Sequence, residues 1–188
     1  MVSMAPQPPD LSAIPEAFAV NGFPLIEFDR KSLDRYTLVS FALEWNDDLT
    51  LVHVVNRDYF RLNGYAVFRN SDIRRWRPVP KEDFLARAAV LNKVRPSRPD
   101  SVTIGSMRNA LSTAGAAFPL ITFHRERIKR DVCFVGKFKR VNQRTVTIEE
   151  ITPQAEWGED ERYSLRDITL LEFGGAYESL LYAMAAKR

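Results

Sequence analysis

Two stretches of this chain match each other at a separation of 95 residues, counted from Phe23 to Phe118. Residues 23–30 (FPLIEFDR) recur as residues 118–125 (FPLITFHR). Further matches follow in the same order: Phe41/Phe134, Trp45/Phe138, Thr50/Thr145, Phe68/Tyr163 and Asp72/Asp167. Because ordered landmarks over most of a chain rarely arise by chance, the sequence predicts a tandem duplication of one module of about 90 residues.

Each copy is expected to contain two short helices and five strands. Apolar residues at helical spacing predict an opening helix at 11–21 and at 104–116, ended by Asn21-Gly22 and Pro24 or by Gly115 and Pro119. Strand-like runs follow at 25–29, 37–45, 49–55, 65–69 and 73–77, and at 120–124, 132–140, 145–150, 162–165 and 168–173. Closing helices are marked by Phe84, Ala88 and Leu91, and by Tyr177, Leu181 and Met184.

This order of elements predicts a mainly β (α+β) fold. Alternating apolar residues at 39–45 and at 132–138 bury one face of a sheet, and Asn46 and Asn142 supply turn chemistry before the third strand of each copy. We expect two tandem five-stranded SH3-like or Sm-like barrels, at 11–95 and 96–188, after a Pro-rich disordered tail at 1–10. The run at 49–55 is apolar on both faces, so it should be covered on both sides, and the copies should pack together.

Several motifs resemble a module of uncharacterised bacterial proteins. In the second copy these motifs are residues 134–137 (FVGK), 148–157 (IEEITPQAEW) and 167–178 (DITLLEFGGAYE), and in the first copy they are 62–65 (LNGY) and 68–73 (FRNSDI). The resemblance implies tandem SH3-like or Sm-like barrels, and it implies no activity or site residues. The Arg-Gly signature of RNA-binding Sm proteins is only approximated by Arg69-Asn70, so uridine recognition does not carry over.

Composition argues against several classes of protein. No apolar run approaches the roughly 20 residues of a membrane span, and no secretory signal opens the chain. The single cysteine, Cys133, excludes an internal disulfide and a cysteine-based zinc cage, and it fits a reducing cytoplasm. Only His53 and His124 could supply imidazole ligands. We therefore expect no catalytic residues, no metal and no cofactor.

For each isolated polar residue, a structural interpretation competes with a functional one. Asp72 and Asp167 could form a catalytic pair, but a turn role is favoured. His53 is expected inside or at an interface, His124 at the surface, and Cys133 as a small buried hydrophobe. Gly174-Gly175 is read as a strand-to-helix turn, with anion binding at the helix N-terminus as the alternative.

Charge and aromatic residues give the candidate contact sites. The region 125–144 is basic, through Arg125, Arg127, Lys129, Arg130, Lys137, Lys139, Arg140 and Arg144, and 149–161 is acidic. The two regions either offer a binding surface or neutralise each other. Trp76 lies among Arg69, Arg74, Arg75 and Arg77 and could stack a base, or else belong to the core. Tyr59-Phe60 and Trp157 precede the fourth strands, as partner anchors or as plugs over the barrel ends.

These features favour a non-catalytic binding module whose ligand is a protein. The alternative is an Sm-like protein that binds RNA or single-stranded nucleic acid through Arg69, Arg74, Arg75 and the basic run. An enzyme with a site between the copies is a third hypothesis, and homo-oligomerisation is left open.

Overall fold

The computed structural model describes residues 17–30, 33–34 and 36–187. Eleven strands, joined in the antiparallel order β1-β2-β3-β4-β5-β11-β7-β8-β9-β10 with β6 beside β2, form one sheet. The strands are β1 (Ala19–Val20), β2 (Phe23–Asp29), β3 (Thr37–Trp45), β4 (Leu49–Asn56), β5 (Arg61–Arg69), β6 (Arg75–Pro78), β7 (Ile121–Arg125), β8 (Lys129–Val141), β9 (Thr145–Ile151), β10 (Trp157–Ser164) and β11 (Leu170–Phe173). The described helices are α1 (Phe84–Leu91), α2 (Met107–Ala117) and α3 (Ala176–Ala185).

The predicted mainly β fold is confirmed, and all ten predicted strands overlap an observed one. The predicted closing helices correspond to α1 and α3, and the helix predicted at 104–116 corresponds to α2, which begins after Ser106 accepts a hydrogen bond from the N–H of Asn109. Such a serine N-cap satisfies a free N–H of the first turn.

The opening helix predicted at 11–21 is wrong for its described part, and the disordered tail predicted at 1–10 lies outside the described residues. Ala17 forms a bridge with Pro80, and β1 pairs with β2 as a hairpin. Asn21 and Gly22 have φ values of 54° and 80°, which place both in the left-handed region. Asn-Gly is the preferred sequence of a two-residue hairpin turn with positive φ at both positions. The dipeptide read as a helix end is therefore the turn of a hairpin.

Both halves of the chain follow the same order of strands. Four consecutive neighbours, β2 to β5 and β7 to β10, are followed by a 3-10 turn and a last strand that pairs with the first. The turns are Asn70–Asp72 and Leu165–Asp167. Asp72 and Asp167 each end one of these turns, directly before an isoleucine, as the turn interpretation predicted.

The hydrogen bonds around these turns also recur. In the first half, the N–H groups of Asn70, Ile73 and Arg74 donate to the carbonyl groups of Asp48, Asn70 and Asp29. In the second half, those of Leu165, Ile168 and Thr169 donate to the carbonyl groups of Arg144, Leu165 and His124. The predicted turn asparagines match as well, since Asn46 Oδ1 accepts from the N–H groups of Asp48 and Leu49, and Asn142 Oδ1 from those of Arg144 and Thr145.

Closure of the sheet is not observed, so the two predicted tandem barrels are not confirmed. The strand order runs through both halves because β11 pairs with β7 along one edge and with β5 along the other, where Leu170 faces Phe68 and Phe173 faces Tyr65. A strand edge left open presents unpaired N–H and C=O groups. The residues Tyr65–Phe68 of β5 pair with the backbone groups along that edge of β11.

The chain divides into two compact units whose boundary is not a single point. The first unit contains the described residues up to Asn63 together with Arg69–Arg98, and the second contains Gly64–Phe68 and the chain from Pro99 onward. Gly64 marks the change of unit. Its φ is +72°, and a Cβ there would lie 2.5 Å from the backbone nitrogen of Gly175, so a side chain is excluded.

Each unit has its own core. In the first, β4 is buried along most of its length, from Leu49 through His53, which confirms that both its faces are covered. In the second, α3 packs against the sheet through Leu181 and Ala185, which join Leu120, Val135 and Ile151 in one buried cluster. This packing determines which face of α3 is left outside.

Candidate interaction surface

The outer face of α3 is apolar. Tyr177, Leu180 and Met184 recur at helical spacing and are 49%, 61% and 49% exposed. Leu181 and Ala185 point about a quarter-turn away and are buried. The helix is therefore apolar on two neighbouring faces, of which the sheet covers one. We call the three exposed residues the α3 stripe.

Trp157 of β10 lies against the flank of α3 that is opposite to the α3 stripe, because Tyr182, which it contacts, is about half a turn around the helix from the stripe. Its ring packs edge-on against Tyr182 of α3, with 6.5 Å between centroids, and the residue is 39% exposed. The ring of Trp157 therefore contacts a helix, and the interpretation of Trp157 as a plug over a barrel end stays a prediction. The remaining exposed part is available as an anchor.

The other predicted aromatic site behaves similarly in the first unit. Phe60 packs edge-on against Phe84 of α1 with centroids 5.2 Å apart, whereas Tyr59 is 71% exposed. The side-chain amide of Asn92 donates to the carbonyl of Phe60 at 3.3 Å and so holds the turn against the end of α1.

The basic run is partly neutralised by its neighbours in the sheet. Lys139 Nζ lies 3.1 Å from Glu149 Oε2 and 3.8 Å from Asp160 Oδ1, across adjacent strands. The hydrogen bond to Glu149 and the charges of both carboxylates raise the pKa of Lys139. Lys137 and Arg140 are exposed on the same strand, and Arg127 is exposed in the β7–β8 turn. Opposite charges on neighbouring strands therefore share this surface.

Arg125 has a structural position. Its guanidinium lies 3.6 Å from Asp167 Oδ2 and covers the rings of Tyr163 and Phe134, with 5.3 Å and 5.7 Å to the centroids. A cation over aromatic faces is attracted by the ring quadrupole. The phenol of Tyr163 donates to Glu150, and burial together with this carboxylate raises the Tyr163 pKa.

The arginines around Trp76 do not surround an open aromatic face. Trp76 is half-buried and opposite Phe28 in register, and Arg69 is half-buried at the end of β5. Arg74 and Arg75 are exposed, with Arg75 Nη2 3.9 Å from Asp29 Oδ2. A cleft of about 230 Å³ lies at this place. Its lining residues are Glu27, Asp29, Thr37, Arg75, Trp76 and Arg77. Arg77 Nε donates to Glu27 Oε2 at 2.9 Å, so much of the cleft's charge is balanced internally.

The histidines and the glycine pair lie where the structural interpretations placed them. His53 is buried in β4, and His124 is partly exposed with Nε2 2.8 Å from Glu172 Oε2. Gly174, at φ +70°, turns the chain from β11 into α3. Glu178 lies in the first turn of that helix, where a carboxylate is favoured by the helix dipole, and it accepts a hydrogen bond from the Thr122 hydroxyl.

The expectation that Cys133 is buried is wrong, because the cysteine is exposed. The first five residues of β8, from Lys129 to Cys133, are exposed, including Val132 on the face predicted to be inside. Partial desolvation of the thiol and the nearby charge of Glu172 raise the Cys133 pKa, so the thiolate form is disfavoured.

Within residues 17–30, 33–34 and 36–187, no group of three or more His, Cys, Asp or Glu side chains is placed to hold a metal ion. No helix in the described part of the chain has both the length and the apolar character needed to cross a bilayer. The chain matches no family model, no curated protein and no solved structure.

The α3 stripe was not among the predicted contact residues. In the sequence, Tyr177, Leu181 and Met184 mark the closing helix and do not indicate which of its faces is exposed. The signal that identifies the stripe is the doublet Leu180-Leu181, which places leucines on two neighbouring helix faces. One face of a helix on a sheet is sufficient for the core, so the second is available for a partner.

Proposed function

We propose that this protein is a non-catalytic binding module that recognises another protein through the α3 stripe. The observation that carries this proposal is the exposure of Tyr177, Leu180 and Met184 on one face of a helix whose other face is anchored in the core. Contiguous exposed apolar residues bordered by charged ones are typical of protein interaction sites.

The chemistry of the surface supports a protein ligand. Aromatic residues and methionine are enriched in the centres of protein interfaces, and Tyr177 and Met184 supply such residues in the α3 stripe. We therefore expect the partner to present apolar side chains to the α3 stripe.

We also propose that the chain arose by duplication of one module, each an SH3-like or Sm-like strand arrangement with a closing helix. The recurrent hydrogen bonds around the turns at Asn70–Asp72 and Leu165–Asp167 support this origin. In both halves the aromatic residue before or at the start of the fourth strand packs on the closing helix, as Phe60 does on α1 and Trp157 on α3.

RNA binding is the alternative function, and the exposed Arg74 and Arg75 beside the half-buried Trp76 are the observation in its favour. It is less well supported because several basic groups already have carboxylate partners: Lys139 with Glu149, Arg125 with Asp167, and Arg77 with Glu27. Phosphate contacts would have to displace or bridge these ion pairs.

The proposed function can be tested by comparing two variants that each introduce one charge into an exposed apolar position. Leu180→Glu lies in the α3 stripe, and Ile128→Glu, at a residue 53% exposed in the β7–β8 turn, is the matched control. Each version of the protein is used as bait in a lysate of the cells that naturally produce it. The captured proteins are then quantified for wild type and both variants. The proposal predicts a defined partner that Leu180→Glu loses and Ile128→Glu retains. Equal recovery with both variants, or recovery of nucleic acid instead, would overturn it.

A further inference from the structure

The same short sequence occurs twice in this chain, in two different structural settings. Residues 20–23 read VNGF and residues 62–65 read LNGY, and these contain the chain's two Asn-Gly dipeptides. Asparagine loses its side-chain amide readily before glycine, because glycine has no Cβ to keep its backbone nitrogen away from the asparagine Cγ. Since the two local sequences are nearly identical, a difference in reactivity between them has to come from the fold.

The first dipeptide is open to solvent. Asn21 and Gly22 form the exposed turn between β1 and β2, and nothing lies within 4 Å of a Cβ built at Gly22. β1 lies at one end of the strand order and pairs with β2 through two residues, Ala19 and Val20. Such short pairings at a sheet edge open locally at a small cost in free energy. The turn can therefore reach a conformation in which the Gly22 nitrogen approaches Asn21 Cγ.

The second dipeptide is enclosed. Asn63 and Gly64 lie inside β5, where Asn63 is half-buried and Gly64 is buried. A Cβ at Gly64 would lie 2.5 Å from the backbone nitrogen of Gly175 and 2.7 Å from the carbonyl oxygen of Phe173. Bending the backbone at Gly64 into a five-membered imide ring would disturb this close packing. The reaction at Asn63 therefore needs a larger opening of the fold than the reaction at Asn21.

We propose that Asn21 is a site of spontaneous, time-dependent deamidation in the folded protein and that Asn63 is protected from the same reaction. The Gly22 nitrogen attacks Asn21 Cγ and loses its proton, the bond from Cγ to Nδ2 breaks, and that nitrogen leaves as ammonia. Water then hydrolyses one of the two carbonyl–nitrogen bonds of the cyclic imide. Hydrolysis at Cγ gives aspartate, and hydrolysis at the main-chain carbonyl gives isoaspartate. One water is consumed and one ammonia is released, and nothing is oxidised or reduced.

Deamidation changes the structure around the turn. Asn21 Nδ2 donates to the carbonyl oxygen of Pro96 at 3.4 Å, and this contact is lost in both products because the nitrogen has left. In isoaspartate the main chain also runs through the former side chain and is one methylene longer. The two-residue turn, with φ values of 54° and 80°, fixes the length of the connection, so the extra carbon should break the pairing of β1 with β2.

The experiment keeps the full chain in mildly alkaline buffer over days, folded and in urea, and quantifies both dipeptides by peptide mass spectrometry. Conversion of asparagine to aspartate or isoaspartate adds about 1 Da. The proposal predicts that Asn21 reacts at least about tenfold faster than Asn63 in the folded protein, since the two sites need openings of different size. In urea the two rates should become similar. Equal rates in the folded protein, or no reaction at Asn21, would overturn the proposal, as would a difference that persists in urea.

Asn21→Gly is the matched control, because Gly-Gly also suits a two-residue turn with positive φ and has no amide to lose. Hydrogen exchange of residues 19–24 reports the pairing of β1 with β2. The deamidated fraction, separated from aged wild type by its added negative charge, should exchange faster there than fresh wild type. Asn21→Gly should not change with age. Unchanged exchange in the deamidated fraction would contradict the predicted loss of β1 pairing.

Discussion

The imidazole of His53 accepts a hydrogen bond from the backbone N–H of Ser97, with 3.3 Å between the Ser97 nitrogen and His53 Nδ1. The histidine lies inside β4, 8% exposed among apolar neighbours. Burial lowers its pKa from 6.5 to about 4, because the charged form would lose its hydration there, while the bond from Ser97 opposes this only in part. At neutral pH the folded protein therefore contains a neutral His53.

This relationship predicts a loss of stability in mild acid. The unfolded chain takes up a proton at His53 below pH 6.5 and the folded chain only near pH 4, so the stabilisation is present above pH 6.5 and is lost as pH falls toward 4. The free energy of unfolding should fall by about 2 kcal/mol between pH 7 and pH 5. Urea unfolding at pH 7 and pH 5 measures this change in the free energy of unfolding. His53→Gln should flatten this dependence and His124→Gln should retain it; a wild-type slope in His53→Gln would assign the effect elsewhere.

Gly115 is predicted to be indispensable to the packing of α2. A Cβ at this position would lie 2.3 Å from the Cβ of Phe138 on β8, so either α2 or β8 would have to shift to accommodate it. Gly115→Ala should therefore cost about 1–3 kcal/mol of unfolding free energy, despite the helix propensity that alanine adds.

Gly105→Ala is the control for Gly115→Ala, because nothing lies within 4 Å of a Cβ built at Gly105. Chemical denaturation measures the free energy of unfolding of both variants. A Gly115→Ala protein as stable as Gly105→Ala would mean that α2 does not approach β8 so closely.

Cys133 should react slowly for an exposed thiol. Desolvation of its sulfur and the charge of Glu172 raise its pKa, so the reactive thiolate is scarce at neutral pH. Alkylation by iodoacetamide at pH 7.5 should be slower than that of a free cysteine and should accelerate in alkaline buffer. Glu172→Gln removes one cause of the higher pKa and should increase the rate at fixed pH. A fast, pH-independent reaction would contradict the assignment.

Nucleic-acid binding should be absent or weak even at low salt. The lysine and arginines with carboxylate partners, Lys139, Arg125 and Arg77, offer little free charge to a phosphate backbone. A mobility-shift assay with single-stranded RNA and DNA at about 50 mM salt measures this directly. A shift that disappears at higher salt and is abolished by Arg74→Ala with Arg75→Ala, but not by Leu180→Glu, would favour the alternative function.

The strands were predictable from the sequence because their signals are local. The alternation at Thr37–Trp45 and the turn asparagines Asn46 and Asn142 set β3, β4 and β9 within one or two residues of their observed ends. Asn21-Gly22 was misread because the same dipeptide serves helix ends and hairpin turns, and only the positive φ at both residues distinguishes the two.

The sheet order and the candidate site could not be read the same way, because they depend on contacts between distant residues. The pairing of β5 with β11 joins Tyr65 to Phe173, and no local pattern specifies it. Exposure of Cys133 and of the α3 stripe likewise depends on what covers β8 and α3. The sequence indicates neutralisation of the basic run as one of two alternatives. Which carboxylate pairs with Lys139 depends on the register between β8 and β9, and the sequence does not show that register.

Site-specific photo-crosslinking tests most directly whether α3 is the surface that binds a protein. A photoreactive phenylalanine analogue replaces Leu180 in one protein and Ile128 in another, both produced in the native host and irradiated there. The proposed function predicts a crosslinked polypeptide of defined mass from position 180 and none from position 128. Equal crosslinking from both positions, or none from position 180 while the protein is bound to RNA, would contradict it.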